Sequence, residues 1–128
     1  MRPTPLSLSA AVLLAALAVL LPAAAANAKT RTCKSSDLRY AFMPGQPKFF
    51  GVHKLRVTGG GCATARRVAK RWMKRFEAGI KQPGPLRLPK HVRGFTFKQV
   101  PVKASQTFGL RGTRGGTVIR FNYVVPNG

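Results

Sequence analysis

Acidic residues are nearly absent from this chain, which contains 23 Lys and Arg but only two carboxylate side chains, Asp37 and Glu77. Its formal net charge is +21 at pH 7. Hydrolytic enzymes commonly rely on positioned carboxylates, a histidine pair or an activated nucleophile, and hard metal ions need carboxylate oxygens. Because the two acids lie in different segments, we expect no enzyme activity, no metal site, no cofactor and no small-molecule substrate.

Cysteine and histidine are equally scarce, with two residues of each. Cys33 and Cys62 are too far apart in sequence to form a Cys-x-x-Cys redox or zinc motif, and His53 and His91 fall in different segments. A basic secreted nuclease would use the two histidines as acid and base, with Lys54 on the phosphate. We favour two ordinary histidines, because no spacing relates them to each other.

The N-terminal segment has the features of a secretory signal peptide. A charged start at Arg2 is followed by an apolar run from Leu6 to Leu21, a break at Pro22 and the small-x-small pattern that ends at Ala28. We predict a signal peptide at residues 1–28, with cleavage after Ala28. An uncleaved membrane anchor is the alternative, although spanning a bilayer normally takes about 20 unbroken apolar residues.

Cleavage would leave residues 29–128, a chain of 100 residues with 22 Lys and Arg and a net charge of +20. This length suits one domain, and its abundant, patterned apolar residues are unlike those of a disordered tail. Both cysteines remain, and an even number of cysteines in an oxidising compartment indicates a disulfide. We therefore predict a single basic domain, secreted or associated with the cell envelope, with a Cys33–Cys62 bridge.

The clearest local signal is an amphipathic helix that begins near Cys62 and ends near Gly79, where we expect a left-handed C-terminal cap. At about 100° per residue, its apolar side chains occupy one arc and its cations fill the opposite arc. The apolar arc consists of Cys62, Ala65, Val68, Ala69, Trp72, Met73 and Phe76. The cationic arc consists of Arg66, Arg67, Lys70, Arg71, Lys74 and Arg75.

Strand patterns precede the helix. Residues 29–47 are expected to be largely irregular, with a strand-like alternation of apolar residues that anchors the segment to the body at Leu38, Tyr40 and Phe42. Residues 49–57 form the next predicted strand. One of its faces consists of His53, Leu55 and Val57, and the other consists of Lys54 and Arg56.

Further strands follow the helix. The prolines of residues 82–90 indicate a loop, and Gly94–Val100 is a predicted strand with Phe95 and Phe97 on one side. Residues 107–111 and 117–125 flank the turn-rich sequence GTRGG and predict a hairpin. One face of its second strand consists of Ile119, Phe121 and Tyr123. The order β-α-β-β-β predicts an α+β fold, with one helix packed on a small antiparallel sheet.

Several of these segments together resemble a group of small secreted proteins of high-GC Gram-positive bacteria. The resemblance lies in the early cysteine, the helix start LRVTGGGCATARRVAKRW, the strand GFTF and the late segment GTRGGTVIRF. That group has a second cysteine pair, which this chain lacks. Phe97 stands at the position of the third cysteine, and Gly112 stands near the position of the fourth. The resemblance covers most of the mature chain, implies its fold and export, and provides no catalytic residues.

The cationic arc destabilises the helix that carries it. All four of its i,i+4 pairs have like charges, and each such pair costs roughly 0.2 to 0.5 kcal/mol. A bound polyanion would remove this repulsion and release counterions, so binding would weaken steeply with salt. The predicted polyanion-binding residues are the six cations of the arc, with Lys54 and Arg56 as neighbours: Arg66, Arg67, Lys70, Arg71, Lys74, Arg75, Lys54 and Arg56.

These observations predict a non-enzymatic secreted cationic protein that binds anionic polymers or surfaces of the cell envelope. Teichoic acid, anionic lipid and extracellular nucleic acid are the candidate partners. The alternative is a secreted inhibitor or ligand of one acidic protein, which the exposed proline-rich loop Lys81–Lys90 would suit. A membrane-active antimicrobial protein and the basic nuclease rank below these two.

Overall fold

A single amphipathic helix packs across an antiparallel sheet, which confirms the predicted α+β fold. The computed structural model describes residues 28–127, so residues 1–27 of the predicted signal peptide lie outside the described residues. The helix α1 comprises Cys62–Ile80, and a short 3-10 helix comprises Ser36–Leu38. The strands are β1 (Thr30–Thr32), β2 (Arg39–Tyr40), β3 (Phe50–Thr58), β4 (His91–Val92), β5 (Phe95–Val100), β6 (Thr107–Arg114) and β7 (Thr117–Val124).

The strands of the described residues form one sheet in the order β1-β3-β7-β6-β5-β4, with β2 also paired to β3. Every pairing is antiparallel. The short strands β1 and β4 were not predicted, and β1 lies in a segment that was expected to be irregular. Strands of two or three residues are too short to show a periodicity, so only their pairing reveals them.

The predicted apolar arc of α1 packs on one face of the sheet. Trp72 is fully buried, and its ring contacts Phe121 and Tyr123 with centroid separations of 5.4 and 5.1 Å. Phe76 contacts Tyr123 as well. Burying a large apolar side chain contributes roughly 1.5 to 3 kcal/mol, so these contacts outweigh the repulsion on the opposite side of the helix. The buried residues of the arc are Ala65, Val68, Ala69, Trp72 and Phe76, with Cys62 and Met73 partly buried.

The C-terminal end of α1 differs from the prediction. Gly79 lies inside the helix, which continues to Ile80, and the following residue, Lys81, retains right-handed backbone angles. The Gln82 N–H donates to the Gly79 carbonyl oxygen at 3.1 Å. The left-handed residue comes later, at Gly84, with φ of 106°. A turn of right-handed residues therefore ends the helix without the glycine cap that the sequence suggested.

A β-bulge in β3 changes which side chains reach the core. Two residues of β3, Lys54 and Leu55, lie opposite one residue of β7, and Lys54 has a φ of 53°. The extra residue shifts the side-chain alternation by one position. Val52 is therefore buried together with Leu55 and Val57, whereas His53 lies on the other face. The predicted grouping of His53 with Leu55 and Val57 is wrong for this reason.

The predicted disulfide ties the N-terminal segment to the first turn of α1. Cys33 and Cys62 are bonded, with their Cα atoms 5.4 Å apart, and the Cys33 N–H donates to the Leu55 carbonyl oxygen at 2.8 Å. Leu38 is buried as expected. Phe42 is 57% exposed and follows β2, so its predicted role as an anchor is wrong.

The strands that follow the helix carry the aromatic side chains predicted to face the core. Phe95 and Phe97 of β5 are buried. Phe97 is the cross-strand partner of Gly112 on β6, and a Cβ atom on that glycine would lie 2.6 Å from the Phe97 ring. On β7, the buried side chains are those predicted: Ile119, Phe121 and Tyr123.

The predicted hairpin is longer and its turn is tighter than GTRGG suggested. β6 extends to Arg114 and β7 begins at Thr117, so only Gly115 and Gly116 connect them. Gly115 has a φ of 56°, a conformation that glycine adopts without a steric penalty. The RGTRGG sequence therefore belongs to a hairpin, as its turn residues predicted.

Candidate polyanion-binding surface

One of the two acidic side chains forms an ion pair between the N-terminal segment and the helix. The Asp37 carboxylate accepts hydrogen bonds from the Arg66 guanidinium at 2.8 and 2.5 Å. This hydrogen bond lowers the pKa of Asp37 from 3.8 to about 2. Arg66 also donates to the Lys34 carbonyl oxygen at 2.5 Å. Both charges of the pair are therefore engaged within the domain.

The other acidic side chain, Glu77, accepts a hydrogen bond from a core residue. The Tyr123 hydroxyl donates to the Glu77 carboxylate at 3.2 Å, and the Tyr123 side chain is fully buried. Burial, followed by the nearby negative charge of Glu77, raises the pKa of Tyr123 far above its usual value. A buried hydroxyl needs a hydrogen-bond partner, and Glu77 provides it. The chain has no third carboxylate side chain that could compensate its remaining cations.

The six cations of the predicted arc are not equivalent. Arg66 pairs with Asp37, and the Arg75 guanidinium donates to the carbonyl oxygen of His91. These two side chains hold neighbouring segments against the helix, a role that helical periodicity does not predict. The exposed cations of α1 that face solvent without such a contact are Arg67, Lys70, Arg71 and Lys74.

Of the two predicted neighbours on β3, Lys54 and Arg56, the second does not adjoin the helix cations. Both are exposed residues of β3, and the buried residues around them, Leu55 and Val57, face α1. Because side chains alternate between the two faces of a strand, Arg56 lies on the face of the sheet opposite the helix. Arg56 therefore does not extend the helix surface. The periodicity of a single strand cannot show which face a helix will cover.

The two histidines lie far apart. His53 belongs to β3 and His91 to β4, and three strands lie between them. With about 4.8 Å between neighbouring strands, their strands lie roughly 19 Å apart along the sheet. The His53 ring contacts Phe49 and the Phe49 carbonyl oxygen. No group of three or more His, Cys, Asp or Glu side chains within residues 28–127 could hold a metal ion.

The proline-rich loop is held at its C-terminal end. The Trp72 indole N–H donates to the Pro89 carbonyl oxygen at 3.2 Å, and Leu88 packs against the core. The loop and strands β5 and β6 border an open groove of about 840 Å³. Arg87, Lys90 and Lys98 line this groove together with apolar side chains. The groove is separate from the exposed helix cations.

Three apolar side chains near one end of β3 are exposed, and the sequence pattern did not single them out. Phe42, Met43 and Phe49 expose 57%, 54% and 56% of their surface. The ring of Phe49 contacts those of Phe50 and His53. Their turn-rich sequence context, with Pro44-Gly45 and Pro47 between them, is the only sequence signal that could have placed them outside the core.

Within residues 28–127, no helix is both long enough and apolar enough to cross a membrane. In the comparisons with known proteins, no family model matches the chain, and no curated protein or solved structure is significantly similar to it.

Proposed function

We propose that this protein is a non-enzymatic secreted cationic domain that binds anionic polymers or surfaces of the cell envelope through the exposed cations of α1. One observation carries the proposal. Both acids are occupied by contacts within the domain, while Arg67, Lys70, Arg71 and Lys74 form a row of like charges on an exposed helix face. A polyanion would supply the missing negative charge.

The energetics support an external partner for these four cations. Pairs such as Lys70–Lys74 and Arg67–Arg71 lie at i,i+4 spacing, where like charges destabilise a helix by a few tenths of a kcal/mol, roughly 0.2 to 0.5 per pair. The folded domain keeps this repulsion when no partner is bound. Binding a polyanion relieves it and releases condensed counterions, which makes the affinity strongly dependent on salt.

The test compares two variants with the same change in charge. K70Q/R71Q/K74Q neutralises the centre of the helix surface, and K29Q/K48Q/K103Q neutralises three exposed lysines of the loops and the N-terminal segment. Retention on immobilised wall teichoic acid is measured over a salt series. We expect the helix variant to lower the slope of log affinity against log salt by about 2 to 3, and the loop variant to lower it less.

Equal slopes for the two variants would show that net charge, and not the helix surface, determines binding. The alternative, a ligand of one acidic protein, predicts a different result in a pull-down from the wall fraction. A single saturating protein partner, retained by the wild type at high salt in a pull-down from the wall fraction, would replace the polymer proposal. Leakage from anionic vesicles would instead identify a membrane-active protein.

A further inference from the structure

The sheet has a second row of cations on the face that α1 does not cover. Arg56 on β3 is the cross-strand partner of Arg120 on β7. Arg120 is in turn opposite Arg111 on β6, and Arg111 is opposite Lys98 on β5. Four basic side chains therefore follow one another across four neighbouring strands. We call Arg56, Arg120, Arg111 and Lys98 the sheet row.

The orientation of the sheet row follows from the residues next to it. Ile119 and Phe121 flank Arg120 on β7, and both are buried in the core beneath α1. Leu110 and Phe97 hold the corresponding positions on β6 and β5 and are also buried. Since successive side chains of a strand point to opposite faces, the sheet row points away from the helix. Arg56, Arg120 and Lys98 are exposed, and Arg111 is half-buried.

The bulge in β3 is what places Arg56 in this row. Without the extra residue at Lys54, the register that pairs His53 with Asn122 would place Leu55, and not Arg56, opposite Arg120. The row would then be interrupted by an exposed leucine. The left-handed backbone at Lys54 thus directs Leu55 into the core and places Arg56 in the sheet row.

Neither of the two carboxylate side chains neutralises this row. Asp37 is bonded to Arg66, and Glu77 lies on the helix side beneath Tyr123, so neither of the chain's two acids serves the outer face. Like charges directly opposite each other on neighbouring strands destabilise a sheet. Neighbouring strands are about 4.8 Å apart, so the row extends over roughly 14 Å with no intervening negative charge.

The chemistry of the outer face favours one class of polymer. Three of the four cations are arginines, whose planar guanidinium groups match phosphate oxygens. Hydroxyl groups of Thr96 and Thr113 border the row on the same face. The aromatic side chains of β5 and β7 are buried in the core, and Phe108 of β6 packs against it. Sheets that bind single-stranded nucleic acid instead use exposed aromatic rings to stack bases. A phosphodiester polymer without bases is the better fit.

We propose that the sheet row is a second polyanion site, which binds a linear polyol-phosphate polymer lying across the strands, so that the domain bridges two polymer segments on its opposite faces. The bridging rests on the proposed function, because α1 provides the other site. Binding to the sheet row does not rest on it. Two sites on opposite faces cannot both contact one short straight segment, and they convert a binding protein into a cross-linker.

The experiment is a sandwich capture with poly(glycerol phosphate). The protein is first bound to the immobilised polymer, and capture of fluorescent soluble polymer is then measured at constant salt. The sheet variant R56Q/R111Q/R120Q is compared with the helix variant K70Q/R71Q/K74Q and the loop variant K29Q/K48Q/K103Q, each of which removes three charges. Circular dichroism and thermal unfolding establish that all three variants are folded.

We expect the sheet variant to lose roughly tenfold in captured polymer while its first-step binding falls much less, because the helix site remains. The helix variant lacks three of the four exposed helix cations, and its salt slope of binding should fall by about 2 when the sheet substitutions are added. Capture by the sheet variant equal to that by the loop variant would overturn the proposal.

Two further outcomes distinguish the sheet row from the helix site, and a polymer without bases from a nucleic acid. If the sheet variant loses capture but the helix variant does not, the sheet row stands and the helix site of the proposed function fails. A single-stranded oligothymidylate of equal charge replaces the soluble polymer in a parallel arm. Tighter capture of this oligonucleotide, lost in the sheet variant, would overturn the choice of a polymer without bases.

Discussion

At the scale of single residues, both acids have a bonding partner within the domain. Asp37 pairs with Arg66 at the junction of the N-terminal segment and α1, and Glu77 satisfies the hydroxyl of the buried Tyr123. Each carboxylate thus bonds to one polar side chain of the domain. No further carboxylate side chain is left to pair with the other cations of the surface, and both proposals depend on this property.

The Asp37–Arg66 pair predicts a specific loss of stability in acid. The pKa of Asp37 falls from 3.8 to about 2 in the folded state, so its contribution to the free energy of unfolding is present above about pH 4 and disappears as the pH falls towards 2. We expect D37N to be less stable than the wild type at pH 6 and equal to it near pH 2. Urea midpoints measured from pH 6 to pH 2 check this.

The matched variant for this prediction is E77Q, which removes the other acid. It keeps the Asp37–Arg66 pair, so the steep loss between pH 4 and pH 2 should persist in E77Q and be absent in D37N. If D37N and the wild type lose stability in parallel over this range, the ion pair does not contribute in solution.

At the scale of elements, β3 has the most influence on the surface. Its bulge at Lys54 brings Val52, Leu55 and Val57 into the core together and turns Arg56 outward. In a regular strand, Val52 and Leu55 would point to opposite faces, because an odd number of positions separates them. The backbone at Lys54 adopts a φ of 53°, which few non-glycine residues do.

Substitutions of Lys54 therefore separate backbone conformation from charge. K54V and K54G both remove the cation, but valine is strained at positive φ while glycine is not. We expect K54V to lower the free energy of unfolding by about 1 to 2 kcal/mol relative to K54G. Urea denaturation measures the difference, and equal stabilities would mean that β3 has no left-handed residue at this position.

At the scale of the whole molecule, cross-linking and packing offset charge repulsion. The disulfide joins the segment before β2 to the start of α1 across 29 residues, and the aromatic side chains of α1 and β7 form the core beneath the helix. The repelling cations occupy the other side of α1. The helix is held from its apolar side while its charged side remains open to solvent.

Removing the bridge should reveal the cost of the cations. C33A/C62A is expected to lower the free energy of unfolding by about 3 to 4 kcal/mol, because it opens a loop of 29 residues. Adding K70Q/R71Q/K74Q removes all four like-charge i,i+4 pairs and should restore about 1 to 2 kcal/mol. Urea unfolding measures both steps. No gain from the added substitutions would show that the helix cations do not repel one another appreciably.

Sequence reasoning succeeded where the signal is local. The helix, its buried face and the aromatic faces of β5 and β7 follow from a periodicity that neighbouring residues impose on one another. The disulfide follows from there being two cysteines in a chain predicted to be secreted. The same helical periodicity is sufficient to predict the cationic face that contains Arg67, Lys70, Arg71 and Lys74, because these residues lie within two turns of one another.

The remaining features depend on pairing between distant segments, which leaves no periodic trace in the sequence. The bonds of Arg66 to Asp37 and of Arg75 to His91 join residues from separate segments. The sheet row exists because register aligns Arg56, Arg120, Arg111 and Lys98 from four strands. Composition and periodicity were enough to predict a basic α+β domain with one charged helix face. Its second charged face arises from strand register and one bulge, since these alone determine which side chains become neighbours.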